Sequence, residues 1–354
     1  MVLALATTVV TYISNISFVQ VPFAYMAVER EKAKMLALSG IQVAVALLSQ
    51  EVDVAQSPKN SADKQSQPPQ AAQKKQEPSE QEKAAKEFIQ KIVPHLNRWQ
   101  TFELNEKVDG VDGAIKLCIT SEQGKIDLNA WYDFETHSFK GDKAHQQALK
   151  SLILAAFKGL GGEDLYAEFE KFLKARQYRL DDITELLRIP GFIAWREYVF
   201  YPGPITKEKE QEKNKTPVYL TDIFTVWSGT QTIDPWLLSN SMCGLVGVKQ
   251  AQSKDVENRK KAVEQVIKDV TLEAQWATDW KKYLSPLYGA ELNSLAKGVE
   301  LIFGTRFEPK VFSVLSYGVV GNVTQRALAI LERVEEKTDR KLSYAVTIKK
   351  LYWL

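Results

Sequence analysis

The chain has 354 residues, 45% of them hydrophobic, and 46 Lys and Arg against 44 Asp and Glu give a net charge of +2. That balance excludes broad electrostatic capture of nucleic acid, and the length allows two modest cores or one core with a large insertion. Two cysteines, Cys118 and Cys243, and three histidines, His95, His137 and His145, supply neither a disulfide framework nor a zinc spacing. Cys118 falls in an apolar alternation, as a buried small hydrophobe would, and a long-range disulfide is left open.

Residues 1–28 carry no charged side chain. A bilayer core needs about 20 residues of helix, so this stretch is long enough to span. Val2, Leu3, Leu5, Val9, Val10, Ile13, Phe18 and Phe23 are its expected membrane contacts. A secretory signal peptide is the competing reading, but the basic n-region and short apolar core of such a peptide are missing. Glu29, Arg30, Glu31, Lys32 and Lys34 follow with mixed signs, so flanking charge says little about orientation.

Helical periodicity continues beyond the charges. Leu36, Ile41, Ala44, Leu47 and Leu48 recur at helical spacing, and no proline stands between Pro22 and Pro58. One helix over 1–50 is expected, with an apolar stripe that must pack on its own sheet or on neighbouring stems; it is assigned to partner stems. Residues 51–86 hold no aromatic residue before the next apolar segment and are rich in Gln, Pro and mixed charge, which reads as a solvated linker.

AAKEFIQKIVPHLNRW is a short amphipathic segment. Thr101–Glu106 and Ala114–Thr120 read as strands around VDGVDG, whose Asp-Gly pairs suit a hairpin turn. The second strand sets Ile115, Leu117 and Ile119 on one face and Ala114, Lys116, Cys118 and Thr120 on the other. From about 130 to 303 the patterning is helical: HQQALKSLILAAFKGL ends at Gly161 and Gly162, LYAEFEKFLKARQY and DDITELLRIPGF follow, a charged loop covers 206–217, and a long helix is expected over 255–284. EPKVFSVLSYGVVGNV reads as a strand buried on both faces, and KLSYAVTIKKLYWL as one with Leu342, Tyr344, Val346 and Ile348 inward. TQRALAILERVEEK between them favours helix by propensity. The order is anchor helix, linker, strands, helical block, strands, which makes an α+β fold with a helical insertion between strands.

No Gly-rich phosphate loop, nucleophile elbow or H-E-x-x-H occurs, and the carboxylates sit on charged helix faces. The reading is therefore a binding protein, not an enzyme, with no small-molecule substrate.

The apolar start MVLALATTVV with KMLALSGIQVAVALLSQ, then ITSEQGKIDLNAW, then LLRIPGF, YLTDIFTVWSGTQTID and FSVLSYG together resemble the minor pseudopilins of type II secretion systems, in the general secretion pathway protein K family. Ile126, Leu128 and Asn129 match the family's K-I-N-L-N step, and Leu187, Ile189, Pro190 and Gly191 its later turn. The resemblance covers nearly the whole chain apart from the linker.

It implies a pilin-like fold: a stem helix over 1–50 packed on an antiparallel sheet begun in 87–129 and completed in 304–354. An all-helical insertion with sterile-alpha-motif-like bundles would fill 130–303. It also implies a strand over 323–335. The implied role is the tip of a periplasmic pseudopilus, anchored by one pass in the inner membrane and serving protein export. Other minor pseudopilins and the secretion-system assembly platform would be its partners. Calcium can bind in the insert of such proteins, but no dense carboxylate loop names ligands here, so no cofactor is assigned. Two departures stand out. No basic leader precedes the apolar start, so either Met1 is the mature terminus or a leader lies upstream. The first acid is Glu29, and the K family is similar in lacking an early Glu.

LLRIPGF also resembles a helix-hairpin-helix turn, which would make the chain a membrane-anchored DNA-binding or uptake protein. Asp181, Asp182 and Glu185 precede that turn and only Arg188 and Arg196 are near, so a structural turn with no nucleic-acid partner is expected.

Overall fold

The computed structural model describes residues 2–49, 80–162, 165–200, 218–247, 261, 264, 298–304, 307, 309–338 and 341–354, without the side chains of 2–22, 80–82, 84, 337–338 and 341–342. Residues 51–79 of the linker expected over 51–86, the charged loop at 206–217 and most of the long helix expected over 255–284 lie outside the described residues.

Helix α1, Val2–Leu48, is the 47-residue stem. Helix α2, Glu80–Lys91, begins inside the segment read as linker and is followed by a 3-10 turn over Val93–His95. Strand β1 (Trp99–Leu104) and strand β2 (Gly113–Ser121) form the first antiparallel pair, Phe102 opposite Ile115. The connection is no two-residue turn. Asn105 caps a one-turn helix, α3 (Glu106–Asp109), by accepting from the Lys107 N–H, and Gly110 closes it at φ 73°. One Asp-Gly pair thus ends a helix, the place where a left-handed glycine is favoured.

The block follows in chain order: β3 (Ile126–Asp127), α4 (Leu128–Trp131), β4 (Tyr132–Asp133), β5 (Ser138–Phe139), α5 (Lys143–Gly159) and α6 (Tyr166–Lys174). Two 3-10 stretches, Ile183–Arg188 and Phe192–Tyr198, precede α7 (Leu220–Ile223), β6 (Phe224–Thr225) and α8 (Asn240–Leu245). Among its described residues the block holds these helices and 3-10 stretches and also two short ladders, β3 with β6 in parallel and β4 with β5 antiparallel.

The chain then returns as β7 (Val311–Val320), β8 (Val323–Thr338) and β9 (Lys341–Trp353). They extend the first pair into one antiparallel sheet of order β1-β2-β7-β8-β9. The fold is therefore α+β, a long N-terminal helix on an antiparallel sheet, with the block inserted between β2 and β7.

Residues 323–338 are a strand against their propensity. Every residue from Val323 to Glu332 has a partner on β7, and Ala327, Ala329 and Leu331 are buried on the face toward α1. Burial under α1 and a complete ladder outweigh preferences worth under about 1 kcal/mol per residue. Cys118 and Cys243 are both buried as free thiols, which closes the disulfide alternative. Burial, with the Asp222 charge, pushes the Cys118 thiol up to about 12, so it behaves as packing.

The stem lies on β2, β7 and β8, and small residues set how closely. A Cβ on Gly318 would overlap the Ala33 carbonyl oxygen, and one on Gly40 would overlap the Ser316 hydroxyl. Glycine inside a strand marks such a backbone approach. At the other end Arg333 closes the stem. It is buried, its Nε donates to the Leu48 carbonyl at 3.2 Å, and its guanidinium lies 4.9 Å from the Phe88 ring and 3.3 Å from the Tyr344 ring. A cation there satisfies an orphan carbonyl and meets the negative end of the helix dipole.

Candidate interaction surfaces

The stripe assigned to partner stems is corrected by its burial. Leu36, Ile41, Ala44 and Leu48 are buried and Leu47 half-buried, within cores that also hold Ile115, Leu117, Val314 and Leu331. The chain's own sheet covers the stripe, because an apolar helix face beside an apolar sheet face of the same chain packs on it first. The opposite side of α1 is free: Met35 is 64% exposed, and Glu31, Lys32, Ser39 and Gln42 stand around it. Ala27, Val28, Met35, Leu36 and Val111 line a shallow hollow on that side.

The sheet ends near Glu29, which faces Gly321. From residue 23 to residue 28 every side chain is exposed, Phe23 at 68%. Val2, Leu3, Leu5, Val9, Val10, Ile13 and Phe18 belong to α1, but their side chains lie outside the described residues. Among the described residues no helix is long and apolar enough to cross a membrane.

The motif around Ile126, Leu128 and Asn129 is an internal joint. Ile126 and Leu128 are fully buried. Asn129 bridges 51 residues: its amide donates to the Leu180 carbonyl at 2.8 Å and its carbonyl accepts from the Leu180 N–H at 2.9 Å. Asp127 caps α4 through the Ala130 N–H at 3.0 Å and accepts from the Gly229 N–H at 2.7 Å and the Ser228 hydroxyl at 2.9 Å. Burial pushes its carboxyl above the ordinary value, against the pull of those donors.

Residues just before it complete the joint, and the sequence reading missed them. Lys125 is buried, pairs with Glu122 and donates to the Ser313 hydroxyl at 3.1 Å, while the Thr225 hydroxyl donates to Glu122. A Cβ on Gly124 would overlap the Leu237 carbonyl. A cavity of about 40 Å³ beside this pair is lined by Cys118, Thr120, Phe224, Leu328 and Ile330 among others. Charged residues inside SEQGK look like a solvated turn; only the segments over 222–238 and β7, distant in sequence, desolvate them.

The LLRIPGF turn is partly packed. Ile189 is buried, Leu187 half-buried, and Pro190 and Gly191 lie at the surface, with Gly191 at φ 91° against the Leu165 side chain. Its flanks are 3-10 helices, and Asp182 and Glu185 form a capping box on the first. Glu185 meets Arg176 at 2.8 Å and Arg188 at 3.6 Å, so Arg188 faces a carboxylate, while Arg196 is exposed. Among the described residues no group of three or more His, Cys, Asp or Glu could hold a metal ion.

No family model matches the chain, and no curated protein matches it. Among solved structures the chain is similar to one in the crystal structure of the GspK-GspI-GspJ complex from the enterotoxigenic Escherichia coli Type 2 Secretion System. Identity is 11% and the TM-score 0.38, over 76% of this chain and 93% of that chain.

Proposed function

We propose that this chain is a minor pseudopilin of a type II secretion system, a non-catalytic subunit that caps a periplasmic pseudopilus and takes part in protein export. The observation that carries the reading is the stem. Its middle and end are fixed on the sheet, and toward the N-terminus it continues past the sheet with Phe23, Tyr25, Met26 and Val28 uncovered. An apolar helix held rigidly to a folded domain at one end and bare at the other suits a subunit that stands in the inner membrane and stacks by its stem. The order of the sequence motifs supports the specific family.

The size of the insertion supports the tip. The segment from 130 to 303 approaches a domain of its own. Repeated in every subunit along a filament it would collide with its neighbours, whereas the end of the filament leaves it free space. In this reading 1–50 is anchor and stem, 87–129 with 304–354 is the pilin-like sheet, and the partners are other minor pseudopilins and the assembly platform. The test is purification of the full chain from detergent-solubilised membranes of its own cells. Co-purification of proteins with pilin-like N-terminal helices is expected; recovery of the chain without any of them contradicts the reading.

A further inference from the structure

Residues 122–125 carry the chain from β2 into the inserted block, and they bond to both sides of that crossing. The Glu122 N–H donates to the Val311 carbonyl on β7 at 2.9 Å, and the Glu122 carboxylate accepts from the Thr225 hydroxyl on β6. The Gln123 carbonyl accepts from the Asp234 N–H at 2.8 Å, while its side-chain oxygen accepts from the Val311 N–H at 3.2 Å. Lys125 pairs with Glu122 and donates to the Ser313 hydroxyl on β7 at 3.1 Å. From Thr225 through Glu122 and Lys125 to Ser313, one chain of polar contacts runs from block to sheet. Both charged members are buried.

Apolar contact alone does not fix an angle. It is non-directional, and it changes little when two faces slide slightly past each other. The core is continuous from Ile41 on the stem through Leu117 and Val314 on the sheet to Phe157 and Ile223 in the block, so it holds the pieces together. Beside the pair that packing is slack, because the cavity of about 40 Å³ lies there between Cys118 and Thr120 on one side and Phe224 on the other. The charges are not slack. Moving the block along β7 would part Glu122 from Thr225 or Lys125 from Ser313. A buried ion would then be left short of partners, which costs far more than a shifted apolar contact. Other bonds across the boundary, from the Asn97 amide to the Leu238 carbonyl and from the Asn240 amide to the Asn97 carbonyl, are neutral and only partly buried, so water can replace them.

We propose that the buried pair of Glu122 and Lys125 is an orientation latch, which sets the one attitude at which the inserted block stands on the sheet. The two act through Thr225 and Ser313, so they are positioning residues with no ligand of their own. The consequence is mechanical. Gly318 seats the stem on β7, and the same strand carries Ser313 at the crossing. A rotation of the stem therefore turns the block with it instead of bending a hinge. Selecting one arrangement among several of similar stability is the best-attested use of buried polar groups. The latch depends only on 122–125, on Thr225 and Asp234, and on β7, so it stands whatever the partners of the stem are.

The test is a distance measurement between two spin labels on the full chain in detergent, by double electron–electron resonance, with Cys118→Ala and Cys243→Ala as the background. Ser39→Cys on the stem with Lys171→Cys on α6 reports the attitude of the block. Gln147→Cys with Lys171→Cys, both inside the block, is the control pair; all three positions are exposed. The parent should give one narrow stem-to-block distance. Glu122→Leu with Lys125→Met removes both charges together and orphans neither, so the fold should persist. Its stem-to-block distribution should widen about twofold while the control pair stays narrow. A loss of stability alone would lower the unfolding midpoint and leave the distances of the folded chain unchanged. A narrow stem-to-block distance in that variant overturns the proposal, as does a broad one in the parent or equal widening of both pairs. If the variant does not fold, Thr225→Val with Ser313→Ala takes its place. That variant frees both ends of the polar chain and keeps the pair, and the same widening is expected; a width equal to the parent's overturns the proposal.

Discussion

Asn129 holds both backbone groups of Leu180. In Asn129→Ala the Leu180 N–H and C=O lose their partner. Leaving a buried polar group unmade costs about 1–3 kcal/mol. Urea unfolding of the full chain in detergent should show a loss of that order; an unchanged midpoint would mean that water takes over both bonds. Glu185 adds a pH signature. Burial alone would raise its carboxyl, but the Asp181 N–H, the Arg176 guanidinium and the Asp182 N–H hold it below the ordinary value of 4.5. A folded-state value below the unfolded one contributes stability that is present above 4.5 and lost as pH falls through the folded value. Stability measured against pH should therefore fall on the acid side in the parent chain, with a shallower fall in Glu185→Gln. Equal slopes would remove Glu185 from the account.

At the scale of elements, the seating of α1 on β7 depends on Gly318 more than on any large side chain. A methyl group at Gly318 meets the backbone of Ala33 and Ala37, which cannot step aside as a side chain end can. Gly318→Ala should cost about 1–3 kcal/mol, the usual penalty of overpacking. Unfolding midpoints would check it, and a neutral result would show that the stem can shift. The stem was legible because Leu36, Ile41, Ala44 and Leu48 recur at helical spacing, β2 because its side chains alternate, and β7 because β-branched and aromatic residues fill both of its faces. β8 was not legible from propensity, since Ala, Leu and Glu favour helix and the unbroken apolar run over 327–331 carries no alternation to betray a strand. The hairpin was right in place and wrong in turn, because Asn105 can cap a helix as readily as Asp-Gly can close a loop. The outer strand was legible in phase only to Ile348, where two lysines in succession mark the bulge, and its inward residues are half covered because α1 stops short of the edge.

For the whole molecule, the sequence identified an apolar stripe on the stem but could not say which surface covers it. That depends on a sheet assembled from β2, β7 and β8, about 200 residues apart in the chain. Once the sheet takes the stripe, what remains exposed on the described part of α1 is the stretch over 23–28 and the side around Met35. On the proposed reading such a subunit is stacked upon from below and is not repeated along the filament. The measurement that tests this most directly is immunogold labelling of the chain on assembled pseudopili. Gold confined to filament ends is the result the account predicts; gold spaced along the filament length would contradict it.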